Sequence, residues 1–152
     1  MLVIPEDDAN RQVANGFYLA LDPERSRRLQ VLPPAGGWQK VLETFRRDHV
    51  ANMGRYPKRM VVLLVDFDGD SNRLGNFQEN IPPDLADRVF VLGAFDEPEN
   101  LKRGGLGTYE QIGRAMAGEC RADTDGIWNH DQLRHNQREL KRLREQARTI
   151  LF

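Results

Sequence analysis

Three aspartates, Asp66, Asp68 and Asp70, follow directly on a run of five aliphatic residues, 61–65. Asp66 and Asp68 are two positions apart, so on an extended strand their side chains point to the same side. Carboxylates held close together repel, so that one takes up a proton or both share a cation. Such hard oxygen ligands suit Mg²⁺ or Mn²⁺. The pattern indicates a divalent-metal site; the alternative is a solvated turn after a core strand, because Asp and Gly are common in turns.

The aliphatic run predicts that residues 60–66 form a strand buried on both faces, which is typical of a parallel sheet. Two other predicted strands, 2–4 and 88–92, also lead into acidic residues. These are Glu6, Asp7 and Asp8 after the first strand, and Asp96, Glu97 and Glu99 after the later one. The carboxyl ends of parallel strands meet at one edge of a sheet, where open α/β folds bind ligands. We therefore expect the three acidic clusters to meet there.

Apolar residues at helical spacing, together with turn and capping residues, predict the other elements. They are helices over 9–21, 38–53 and 74–80, a short strand over 29–32 and a long final helix from Asn129. A further helix is capped by Thr108, with Glu110 and Gln111 close behind it as an approximate capping box. The expected cap of the first helix is Asp8 or Asn10. Strands that alternate with helices predict an α/β fold, a three-layer α/β/α domain with a mainly parallel central sheet.

The length of 152 residues fits a single domain, with the sheet core and metal site in 1–105 and the C-terminal helices in 108–152. Hydrophobic residues make up 39% and charged residues 30%, which is typical of a soluble protein. The single cysteine, Cys120, excludes an internal disulfide and a zinc-type cysteine cluster. The sequence has neither a membrane-length apolar run nor the pattern of a signal peptide. We expect a cytoplasmic protein that does not enter membranes.

Charge is distributed unevenly along the chain. Residues 1–100 carry 12 Lys and Arg against 16 Asp and Glu, whereas residues 101–152 carry 10 against 7. The net charge of −1 does not by itself mark a free-standing nucleic-acid binder. The basic residues predicted on one face of the final helix are Arg134, Arg138, Lys141, Arg142, Arg144 and Arg148. This face could contact phosphate or a partner protein, and a solvated surface is the alternative.

A metal-dependent phosphoryl-transfer site would account for carboxylates after three strands. Mg²⁺ would bind the oxygens of the scissile phosphate and activate water, and two ions could stabilise the attacking and leaving oxygens together. Lys102, just beyond the third acidic cluster, could add positive charge in the transition state.

Glu6 after the first strand, and Asp66-x-Asp68 after a later hydrophobic strand, resemble the Toprim domain. That domain occurs in topoisomerases, bacterial primases, small RNA-maturation nucleases and OLD-family nucleases. The resemblance spans roughly residues 1–105 and implies a nuclease that depends on Mg²⁺ or Mn²⁺ and acts on DNA or RNA.

Carried over residue by residue, the resemblance implies that Glu6 is a metal ligand or a general acid/base. It implies that Asp66 and Asp68 are metal ligands. Glu99 or Glu97 is similar to the extra acidic residue that OLD-like members use for a second metal. Asp70 is a further candidate ligand.

The chain departs from the Toprim pattern in three ways. Asp7 follows Glu6 where the family usually has glycine, and Asn10 stands where an acidic residue often lies. There is no G-x-x-x-x-G-K-[ST] phosphate loop, so an OLD-type ATPase does not reside in this chain. The alternative is a non-catalytic Toprim-like module that binds a partner protein or a nucleotide and carries its function on the final helix, 129–152.

Other motifs have weaker support. Residues 66–70, DFDGD, also resemble the haloacid-dehalogenase phosphatase signature, but that signature normally lies on the first strand and continues with threonine or valine. An EF-hand loop is excluded because its glycine would stand at the fourth position instead of the sixth. His130 and His135 are five apart, so they share no helical face as metal ligands; structural or partner contacts are expected of them. Nothing beyond its chemistry supports Tyr109 as a nucleophile.

Overall fold

Four parallel strands form the central sheet of the computed structural model, which describes all of residues 1–152. They are β1 (Leu2–Pro5), β2 (Gln30–Val31), β3 (Val61–Leu64) and β4 (Val89–Leu92). Their order across the sheet is β2-β1-β3-β4, so β1 and β3 are neighbours although about sixty residues separate them in sequence. The predicted α/β class with a mainly parallel sheet is confirmed.

Eight α-helices surround the sheet. They are α1 (Asp8–Leu19), α2 (Pro23–Ser26), α3 (Trp38–Thr44), α4 (Val50–Arg55), α5 (Arg73–Glu79), α6 (Pro98–Arg103), α7 (Tyr109–Ala122) and α8 (Gln137–Leu151). A π-helical turn, Phe45–His49, joins α3 to α4. Short 3₁₀ turns cover Pro83–Arg88, Ile127–Asn129 and Arg134–Asn136. No helix is both long and apolar enough to cross a lipid bilayer.

Both faces of the sheet are covered by apolar side chains from helices. Val61, Leu63 and Val65 pack against α3, α4 and α5, whereas Val62 and Phe90 pack against α1 and α8. Successive strand residues alternate between the faces, so a sheet with both faces covered needs a strand that is apolar throughout. This explains why the 61–65 run is uninterrupted.

Helix α7 packs on α1 with the two backbones in direct contact. A Cβ atom added at Gly113 would lie 2.0 Å from the carbonyl oxygen of Val13, and one added at Gly16 would lie 2.1 Å from that of Glu110. No side chain fits at these two positions. The contact places Glu110, in the first turn of α7, against Gly16 in the second half of α1.

The outer edge of β4, which pairs with no other strand, is covered by side chains of residues in or just before α8. The backbone N–H of Val91 donates to Glu139 at 3.3 Å, and that of Gly93 donates to Asn136 at 3.1 Å. Asn136 also donates to the carbonyl oxygen of Gly93 at 2.8 Å, and Arg142 donates to that of Val89 at 3.4 Å. These side chains take the place of a fifth strand and protect the edge from pairing with another chain.

The prediction that the final helix starts at Asn129 was wrong. Two 3₁₀ turns precede it, and α8 starts at Gln137. The physical reason is that Asn136, the last residue of the second 3₁₀ turn, is buried and bonds to Gly93 at the β4 edge, a contact that ties this segment to the sheet before α8 begins. Two of the predicted surface cations also turn inward: Arg142 pairs with Glu139 and Arg144 pairs with Asp125, both at 2.7 Å.

The start of α1 and the region after β4 also differ from expectation. Asp7, instead of Asp8 or Asn10, caps α1, because Asp7 has extended backbone and accepts the N–H of Asn10 at 2.8 Å. The segment that contains Lys102 forms the short helix α6, which starts with a proline at its first position. The capping box of Thr108 and Gln111 at the start of α7 is confirmed.

Candidate functional site

Glu6 and Asp66 lie side by side at the carboxyl edge of the sheet. The register of the two neighbouring strands pairs Pro5 with Leu64, so the chain beyond each strand continues in parallel. The N–H of Glu6 donates to the carbonyl oxygen of Leu64 at 2.9 Å, and Oε2 of Glu6 accepts the N–H of Asp66 at 2.9 Å. The sheet topology therefore brings together the first two residues of the expected site.

Asn10, on the first turn of α1, holds the Asp66 carboxylate. Its Nδ2 donates to Oδ1 of Asp66 at 3.0 Å and to Oδ1 of Asp7 at 3.0 Å. Asn10 is only 2% exposed and Asp66 9% exposed. The amide thus bridges two carboxylates in a largely water-free position, while the second oxygen of Asp66 makes no hydrogen bond within the protein.

The electrostatics of this edge favour protonation or a cation. The pKa of Asp66 is raised to about 7, mainly by burial. The hydrogen bond from Asn10 opposes the rise, and the charges of Asp7, Glu6 and Asp68 add to it. Burial also raises the pKa of Glu6, with the backbone N–H of Asp66 acting in the opposite direction. At neutral pH, Asp66 is therefore divided between its charged and its protonated form.

Asp68 lies in a tight turn and is paired with an arginine. Its φ of 48° and that of 69° at Gly69 are left-handed, which turns the chain sharply after Phe67. Nη1 of Arg73 lies 2.9 Å from Oδ2 of Asp68 and donates to the backbone carbonyl of Asp66 at 3.2 Å. The guanidinium therefore neutralises Asp68, and it makes no ion pair with the carboxylate of Asp66.

The third acidic cluster approaches the site through Tyr109, the first residue of α7. The Tyr109 hydroxyl donates to Oε1 of Glu99 at 2.9 Å, and Nζ of Lys102 lies 4.5 Å from the centre of the tyrosine ring. Burial raises the pKa of Tyr109 to about 12, helped by Glu99 and by the charges of Asp7 and Asp66. The tyrosine thus stays protonated and lies within electrostatic reach of Asp66.

Other expected ligands make local contacts instead. Oδ1 of Asp70 accepts the N–H of Asn72 at 2.9 Å within its turn. Glu97 is exposed at the start of α6 and makes no side-chain capping bond. In this conformation no three acidic, histidine or cysteine side chains are arranged to hold one metal ion. Glu6, Asp66 and Asp68 are grouped at one edge, Glu99 and Lys102 flank Tyr109, and Asp70 and Glu97 point to neither group.

Sequence reasoning missed several residues of the site. Asn10 stands in the sequence as a departure from the Toprim pattern, yet it contacts both Asp66 and Asp7. Nothing in the local pattern singled out Arg73. The sequence gives no support for Tyr109 beyond its chemistry, whereas in the structure its hydroxyl donates to Glu99. The one signal in the sequence for Tyr109 is its place as an aromatic residue at the start of a helix that follows an acidic cluster.

The fold and site define an α/β protein whose acidic residues cluster at the carboxyl edge of a parallel sheet. Comparison with protein-family models, with curated proteins and with solved structures found no match.

Proposed function

We propose that this protein is a nuclease that hydrolyses phosphodiester bonds in DNA or RNA with the help of Mg²⁺ or Mn²⁺. The observation that carries the proposal is the Asp66 carboxylate: it is buried, it lies among Glu6, Asp7 and Asp68, and no cationic side chain contacts it. A divalent cation would relieve this repulsion more than any monovalent group.

The donor set fits such an ion. Mg²⁺ is commonly held by one or two carboxylates, with water and substrate phosphate oxygens completing its shell. Asp66 has one carboxylate oxygen that makes no hydrogen bond within the protein, and the Glu6 carboxylate beside it accepts from backbone N–H groups. These two residues would hold the ion, with Asp68 as the neighbouring third carboxylate. When bound, the ion would supply Lewis acidity and lower the pKa of a bound water.

The surrounding residues have distinct roles under this proposal. Asn10 orients Asp66 by donating to one of its oxygens, and the N–H of Asp66 fixes the rotamer of Glu6. Lys102 is exposed beside Tyr109, where its ammonium can meet a phosphate group of the substrate. Glu99, which accepts a hydrogen bond from Tyr109, would be a ligand of a second metal ion.

The two alternative functions have less support. A module that uses the final helix to bind a partner would need that helix to be free, but its apolar side chains, including Leu143 and Leu151, are buried against the sheet. A haloacid-dehalogenase-like phosphatase would need Asp66 on the first strand, whereas it follows β3 and lies beside Glu6.

The proposal is tested by incubating the purified protein with single-stranded DNA, duplex DNA and RNA in the presence of Mg²⁺ or Mn²⁺. We expect cleavage by the wild type, and a loss on the order of 100-fold or more in Glu6→Gln and Asp66→Asn, because each variant removes a ligand charge without changing shape. The matched control is Asp87→Asn, an exposed carboxylate in the 3₁₀ turn before β4. Absence of cleavage of every substrate, or cleavage that survives Asp66→Asn, would contradict the proposal.

A further inference from the structure

Arg73 occupies an unusual position for a cation. It is the first residue of α5, and a positive charge there is opposed by the partial positive charge of a helix N-terminus. It is also only 9% exposed, and burying a guanidinium is unfavourable unless partners compensate. Neither helix formation nor solvation therefore explains why an arginine stands here.

Three partners compensate for this burial. Nη1 lies 2.9 Å from the Asp68 carboxylate and 3.2 Å from the Asp66 carbonyl, and Cζ lies 4.9 Å from the centre of the Trp38 ring. Among the acidic residues at the carboxyl ends of β1 and β3, Glu6, Asp7 and Asp66 have no ion-pair partner. Asp8, also after β1, pairs with Arg11 on the exposed surface, so Arg73 is the one buried cation in this part of the site.

We propose that Arg73 is the resident cation of Asp68, which a divalent metal ion must displace, and that it thereby determines which cations enter the site. This inference rests on the proposed metal site. A monovalent ion offers Asp68 no more charge than the tethered guanidinium does, whereas a dication is attracted twice as strongly by the same carboxylates. Because the Asp68 side chain is 56% exposed, the exchange does not require the core to open.

The first test is calorimetric titration of Mg²⁺ into the wild type, Arg73→Gln and Arg73→Lys, with EDTA-treated protein. We expect Arg73→Gln to bind Mg²⁺ on the order of tenfold more tightly, because the competing charge is gone. Arg73→Lys keeps the charge and should bind as the wild type does. Two salts at equal ionic strength test whether a small monovalent cation enters the site. In Arg73→Gln, sodium chloride should weaken Mg²⁺ binding more than choline chloride does. In the wild type, the two salts should weaken it equally.

The second test observes the displacement directly and leaves Arg73 in place. The chain has two tryptophans, so in a Trp128→Phe background Trp38 is the only indole. Saturating Mg²⁺ should shift the Trp38 emission as the guanidinium leaves its ring. The same titration of Trp128→Phe/Arg73→Gln should leave the emission unchanged, and circular dichroism establishes that each variant is folded.

The outcomes separate this inference from the proposed function. Equal or weaker Mg²⁺ binding by folded Arg73→Gln, or a Trp38 emission of Trp128→Phe that Mg²⁺ does not change, would overturn the role of Arg73 and leave the metal site standing. Mg²⁺ binding by Arg73→Gln with none by the wild type would support the inference strongly. If neither protein binds Mg²⁺ or Mn²⁺, the proposed metal site fails and this inference fails with it.

Discussion

The carboxylate of Glu6 accepts the backbone N–H of Asp66 at 2.9 Å, although the two residues are sixty positions apart in the sequence. The contact exists because β1 and β3 are adjacent and parallel, so their carboxyl ends come together. It holds two carboxyl groups in one partly buried place, and the resulting repulsion is the physical basis of the proposed metal site.

Replacing Asp66 by Asn should stabilise the metal-free protein at pH 8 by about 4 kcal/mol. The pKa of Asp66 is about 7 in the folded protein, against the ordinary value of 3.8 in the unfolded chain. Between these two pH values the folded protein therefore binds more protons than the unfolded chain does. Wild-type stability is therefore lost as pH rises from about 4 to 7, and Asn does not titrate. Urea denaturation in EDTA at pH 4, 6 and 8 measures the difference.

The gain from Asp66→Asn should shrink at pH 6 and disappear at pH 4. Asn keeps an oxygen that accepts from Asn10, so the packing of the site is retained. Asp87→Asn, on the surface, is the control and should show no such trend. A gain of the same size at all three pH values would show that charge at position 66 is not its cause.

His135 should make the protein sensitive to acid. Its ring lies 4.6 Å from that of Phe67 and 5.6 Å from that of Phe95, neither ring nitrogen has a hydrogen-bond partner, and burial lowers its pKa to about 4. The unfolded chain takes up the proton first, so stability should fall as pH drops from about 6.5 to 4.

His135→Phe keeps an aromatic ring between Phe67 and Phe95 and removes the titrating group. The stability difference between His135→Phe and the wild type should therefore grow in favour of the variant between pH 7 and pH 4.5, as measured by urea midpoints. Parallel pH profiles for the two proteins would refute the assignment to His135.

Two glycines of α7 should respond oppositely to alanine. A Cβ at Gly113 would meet the backbone of Val13 at 2.0 Å, so Gly113→Ala should cost about 3 kcal/mol by forcing α1 and α7 apart. Gly118 has no atom within 4 Å of an added Cβ, so Gly118→Ala should stabilise the helix by about 0.5–1 kcal/mol. Thermal unfolding measures both, and equal effects would contradict the described helix contact.

Glu139 should be among the most sensitive charged residues for stability. Its buried carboxylate accepts the N–H of Val91 and pairs with Arg142 at 2.7 Å, so Glu139→Ala leaves a backbone donor and a half-buried guanidinium unpaired. The expected cost is about 3–5 kcal/mol in urea denaturation. Glu145→Ala, exposed on the same helix, should change stability by less than about 0.5 kcal/mol. Equal losses would rule out a special role for Glu139 at the β4 edge.

The part of the fold that the sequence predicts is the part set by local signals. The aliphatic run at 61–65 predicts a buried strand, and the rule that parallel strands end at one edge predicts the meeting of Glu6 with Asp66. The capping box of Thr108 and Gln111 has a short-range signature and was confirmed in the same way.

The remainder depends on contacts that no local pattern carries. Arg73 reaches Asp68 because the chain turns back through the left-handed conformations of Asp68 and Gly69. Asn136 ends the 3₁₀ turn before α8 because it bonds to the β4 edge, which tertiary packing decides. Tyr109 meets Glu99 only once α6 folds back, and a helix of six residues leaves little periodic signal.

The most direct test of the central claim is calorimetric titration of Mg²⁺ at pH 6 and pH 8, in buffers of different ionisation enthalpy, with wild type and Asp66→Asn. If Asp66 and Glu6 hold the ion, binding must remove the proton of Asp66, whose pKa is about 7. We predict proton release at pH 6, tighter binding at pH 8, and a loss of affinity on the order of 100-fold in Asp66→Asn. Binding that is independent of pH and unaffected by Asp66→Asn, or no binding at either pH, would contradict the account.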